Sequence, residues 1–81
     1  MKVLIGTVAE CRSYARRNGL GRADVVMLPA EGGRALMGRR FAMSDIIYLA
    51  DASIAMRACG RWDQIHADLM TRVVPDFDAD V

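Results

Sequence analysis

The sequence is short of most residues that announce a chemistry. It has one histidine, His66, and two cysteines, Cys11 and Cys59. Neither type is paired at a spacing that holds a metal, so no zinc or iron–sulfur centre is expected. There is one lysine, Lys2, and none follows a glycine-rich turn, so a complete phosphate loop is absent. Apolar runs stop at four or five residues, as in 46–50, which excludes a membrane span. The N-terminus lacks the basic-then-apolar layout of an export signal, so the expected location is the cytoplasm. There the two cysteines are expected as buried or half-buried thiols. No nucleophile–base constellation is present, so no catalytic residue, cofactor or enzymatic activity is expected.

What is present is the composition of a folded domain. The 81 residues are 53% hydrophobic and 26% charged, a balance that supports a core rather than disorder. Residues 1–75 are expected as one small domain, and 76–81 as an acidic, frayed tail. A chain this small buries a limited share of its surface, which favours self-association. The charge is uneven. Residues 1–40 carry eight basic and three acidic side chains, a net of +5, whereas 41–81 carry three and seven, a net of −4. Ten of the eleven basic residues are arginine.

The pattern reads as β-α-β-β-α. The expected first two strands are Lys2–Ile5 and Asp24–Leu28, whose apolar runs Val3–Ile5 and Val25–Leu28 are of the kind found in strands covered on both faces. Between them, Thr7-Val8-Ala9-Glu10 matches a capping box, with the Thr7 hydroxyl on the Glu10 amide and the Glu10 carboxylate reaching back to Thr7. The helix it opens ends at Asn18-Gly19, glycine being suited to a left-handed cap. Pro29 stops the second strand. Ala30–Arg40 is a glycine- and arginine-rich connection with one helical turn expected at 35–37, and Asp45–Leu49 is the third strand. Helical pieces follow at 53–59 and 61–74, the second carrying Trp62, Ile65, Leu69 and Val73 in one stripe. The expected fold is α/β: a minimal Rossmann-like domain whose three-stranded, mostly parallel sheet runs in the order 2-1-3. An antiparallel third strand is the competing topology.

Three places suggest binding. Gly6 and Thr7 lie at the carboxyl end of the expected central strand, where helix amides attract anions. One glycine and no lysine make a capped turn the simpler reading. Arginines form the second feature: Arg34, Arg39 and Arg40 in the connection, with Arg12, Arg16, Arg17 and Arg22 on and after the first helix. Clustered guanidinium groups pair with carboxylates or phosphates. Arg34, Met37, Arg39, Arg40 and Phe41 make up the expected contact surface. Trp62 is the third feature, a helix-packing residue and a potential interface anchor.

Two resemblances accompany these readings. The stretch from Ala35 through Leu36-Met37-Gly38-Arg39-Arg40-Phe41 and on through Asp45-Ile46-Ile47-Tyr48-Leu49-Ala50-Asp51-Ala52 resembles the segment leading into the acidic strand of helicase- and terminase-type ATPases. Only Asp51 matches one of that strand's terminal acids, and the nucleotide-binding loop is absent. The likeness therefore implies a degenerate, non-catalytic relative. In its arginine bias and compactness the whole chain resembles small orphan proteins of bacteriophages with GC-rich bacterial hosts. That likeness implies a protein that binds a host protein in the host cytoplasm.

The leading expectation is a non-enzymatic interaction or regulatory module that contacts a protein partner, such as a host protein, through the Gly32–Phe41 loop and nearby arginines. The alternatives are a nucleotide or phosphate ligand at Gly6-Thr7, and weak nucleic-acid binding by the basic half.

Overall fold

The computed structural model describes residues 1–74; the acidic segment 76–81 lies outside them. Strand β1 (Lys2–Ile5) lies between β2 (Val25–Leu28) and β4 (Ile46–Tyr48), and both pairings are parallel. The third strand of this sheet is therefore parallel, and the antiparallel alternative is excluded. It is fourth in chain order because a two-residue strand, β3 (Phe41–Ala42), precedes it.

The continuous apolar runs supply both faces of this sheet. Val3, Ile5, Val26, Leu28 and Ile46 join one cluster, while Leu4, Val25, Met27 and Ile47 join the other. Helix α1 (Val8–Arg17) covers the second face through Cys11, Tyr14 and Ala15. Helices α2 (Ala52–Ala58) and α3 (Trp62–Thr71) cover the first through Ala52, Ile65 and Leu69, with Trp62 packed partly against them. This is a mixed α/β fold, with three helices sandwiching a three-stranded sheet.

Local chemistry sets the ends of α1. Thr7 is the N-cap, and its hydroxyl accepts the Glu10 amide at 3.3 Å. At the other end Gly19 adopts φ 65°, and the Leu20 amide reaches back to the Ala15 carbonyl at 2.8 Å. That 6→1 bond with the left-handed glycine is a Schellman closure.

Two elements depart from the sequence pattern. The connection after Pro29 contains a 3₁₀ turn at Gly33–Leu36, placed two residues before the expected 35–37 turn. Buried Leu36 anchors this turn beneath α3. Helix α3 ends at Thr71 rather than 74, because Val73–Val74 form β5 and pair in parallel with β3. Branched valines lose little in a strand, and the Phe41 amide donates to the Arg72 carbonyl at 2.9 Å to begin the ladder.

Candidate functional site

Parallel pairing of β1 and β4 brings their carboxyl ends together. Gly6-Thr7 follows one strand and Leu49-Ala50-Asp51 follows the other. Asp51 accepts the Thr7 amide at 3.2 Å and also the Thr7 hydroxyl. Glu10 accepts the Ala50 and Asp51 amides at 3.0 and 3.2 Å. The expected local capping box is thus half formed. Thr7 holds the Glu10 amide, but the Glu10 carboxylate crosses to the start of α2, and Asp51 crosses back to Thr7.

The approach is close. A Cβ added to Gly6 would lie 2.7 Å from Asp51 Oδ1 and 3.1 Å from Leu49 Cβ. The Thr7 hydroxyl, above all, holds the Asp51 carboxyl below its ordinary 3.8, against an opposing push from partial desolvation. At the turn where a phosphate would need free amides, the structure places two carboxylates of its own.

Cys11 is buried one turn into α1, with its thiol directed at the Leu4 carbonyl, 3.6 Å away. Burial first, and then the charges of Asp51, Glu10 and Glu31, push its pKa up to about 11. It is a packing residue rather than a nucleophile. Cys59 is half-buried and, like Cys11, a free thiol.

The arginines separate into two groups on opposite faces of the sheet. Arg12, Arg16 and Arg22 line a groove of about 450 Å³ floored by Ala15, Leu20, Val25 and Met27 on the α1 side. Arg34, Arg39 and Arg40 lie on the connection that packs with α3, and all three are exposed. There Gly38, Arg39, Arg40, Thr71 and Arg72 enclose a recess of about 450 Å³. Beside it, Gly32, Gly33, Arg34, Arg61, Gln64 and Asp68 line another of about 300 Å³, together with Ile65. Asp68 joins the two recesses, since its carboxylate pairs with Arg72 Nε at 3.0 Å.

Met37 is 68% exposed beside this basic surface, whereas Phe41 is 2% exposed. Phe41 is therefore corrected from a contact residue to a core residue. It belongs to the cluster with Leu36, Ile65 and Leu69 and starts the β3–β5 pair. Arg61 and Arg72 are surface members that sequence reasoning missed. The available signal was the recurrence of Arg61, Gln64, Asp68 and Arg72 at spacings of three and four, which marks one helix face.

His66 stacks at a tilt against Trp62, with ring centroids 5.4 Å apart, and lies 3.5 Å from the Tyr48 hydroxyl. Among the described residues no group of three or more His, Cys, Asp or Glu side chains is placed to hold a metal, and no helix is long and apolar enough to cross a membrane. No protein-family model, curated protein or solved structure matches the chain.

Proposed function

We propose that the protein is a non-enzymatic interaction module, a minimal Rossmann-like domain that binds an acidic protein partner through Arg34, Met37, Arg39 and Arg40. The supporting observation is the recess in which Arg39 and Arg40 from the connection meet Arg72 from the end of α3. Arginines from two distant segments thus border one recess, close in sequence to the exposed Met37. Arginine forks favour carboxylates, and a flexible thioether adapts to varied apolar side chains. The 3₁₀ turn anchored by Leu36 and the β3–β5 pair hold both ends of the presenting loop.

A bacterial host cytoplasm is the proposed setting, and a host protein the proposed partner. The test is capture of a partner from nuclease-treated host lysate by wild-type protein and by the Arg39→Glu/Arg40→Glu variant. A protein retained by wild type and lost by the variant supports the reading. Equal retention by both would overturn it.

The phosphate-ligand alternative draws support from the meeting of Thr7 and Asp51 at adjacent strand ends, the expected ligand edge of a parallel sheet. It is the weaker reading, because an incoming phosphate meets the Glu10 and Asp51 carboxylates. A nucleotide thermal-shift screen tests it, and a stabilising shift would restore it. Nucleic-acid binding is weakened by the division of the arginines between two faces and by the burial of Phe41, which removes a base-stacking platform.

A further inference from the structure

The outer edge of β2 carries a feature that the loop surface does not explain. The Leu28 carbonyl accepts the Gly6 amide, so Leu28 and Val26 turn their peptide groups toward β1. By alternation, Val25 and Met27 turn theirs outward. Among the described residues no strand pairs on that side. At Met27 both outward groups are instead taken by one residue. The Glu31 amide donates to the Met27 carbonyl at 2.9 Å, and the Glu31 carboxylate accepts the Met27 amide. Exposed Glu31 thus makes the paired donor and acceptor contacts of an added strand.

The groove beside this edge has an apolar floor and a rim formed by Arg12, Arg16 and Arg22. Among the described residues the ion pairs are Lys2–Asp45 and Arg72–Asp68, so no carboxylate there pairs with these three arginines. The nearby acids are turned elsewhere. Asp24 accepts the Gly21 amide, Glu31 holds Met27, and Glu10 holds the start of α2.

We propose that this edge and groove receive an extended acidic segment of another protein, which adds as a strand beside β2. Main-chain bonds to Val25 and Met27 supply affinity, as in other strand additions. Alternate side chains of the segment lie over Val25, Met27 and Leu20, with carboxylates within reach of Arg12, Arg16 and Arg22. The Glu31 carboxylate acts as a removable plug over the Met27 amide. A second copy of the chain does not suit the site, because pairing two β2 edges would bring both sets of arginines together. The site lies on the sheet face opposite Arg39 and Arg40, and its test is independent of the loop surface.

The probe is an end-capped heptapeptide with glutamate at both ends, valine at the third and fifth positions and threonine between them, so that glutamates and valines share one strand face, titrated into ¹⁵N-labelled full-length protein. Amide shifts are expected at Leu20, Val25, Met27 and Glu31. The same peptide with lysine for glutamate should bind at least about tenfold more weakly. Glu31→Ala should tighten binding by about tenfold, the worth of roughly one charge-assisted hydrogen bond. Arg12→Glu/Arg16→Glu, at two exposed positions, should abolish binding while the dispersed amide spectrum of the folded protein is retained. The proposal is overturned by no response at peptide concentrations on the order of 1 mM, by equal binding of the lysine peptide, or by shifts confined to the Arg39–Arg40 surface. A dimer of Glu31→Ala in sedimentation would overturn it in favour of a second copy.

Discussion

Asp51 takes both the backbone amide and the hydroxyl of Thr7, 44 positions away in sequence. The N-cap of α1 is thereby tied to the first residue before α2, and neither helix start is closed by its own segment alone. Thr7→Ala removes the hydroxyl that serves Glu10 and Asp51, and should cost about 0.5–2 kcal/mol. Denaturant unfolding checks this. A loss well below that range would mean the crossed caps contribute little.

The same contact sets a pH dependence. The native Asp51 pKa lies below its ordinary 3.8. Its stabilising contribution is therefore complete above about pH 4 and is lost as pH falls through the lower native value. Thermal melts between pH 2 and 6 should show Asp51→Asn losing less stability on acidification than wild type. Parallel curves for the two proteins would contradict the assignment.

Phe41 and Met37 are four residues apart and should behave as opposites. Phe41→Ala should cost about 3–5 kcal/mol, since it empties a site between Leu36 and α3. Met37→Ala should change stability by no more than about 0.5 kcal/mol while weakening partner capture. Urea titrations of both variants, with pull-downs for Met37→Ala, separate core from contact.

The thiols should differ in reactivity. Cys11 is buried and its pKa is raised to about 11, so it should resist iodoacetamide at pH 8 in the folded protein. Half-buried Cys59 should be modified first. Peptide mass spectrometry of the partly alkylated protein reads the order directly, and early labelling of Cys11 would contradict its packing role.

Much of the frame is legible in the sequence because it rests on local or periodic signals. The runs at Val3–Ile5 and Val25–Leu28 announce strands covered on both sides, and Gly19 announces the helix end. Other features depend on distant partners. Phe41 follows two exposed arginines, and only its pairing with Val73 shows that it faces inward. Strands of two residues are too short to show alternation. Glu10 sits at the capping-box position, but the Ala50 and Asp51 amides come within its reach only after β4 aligns with β1. Arg72 enters the basic surface for a similar reason, through the β3–β5 pair.

The exchange of Glu10 and Asp51 also bears on dividing the molecule. Glu10 belongs to the basic half of the chain and Asp51 to the acidic half, and each carboxylate serves a helix in the other. A chain cut at Gly38 would leave one fragment holding β1 and β2 and another holding β4, each without a cap that its helix uses. Their net charges are opposite. Association of the two fragments would restore the caps, the third strand and the charge balance together, the arrangement that split-protein complementation requires.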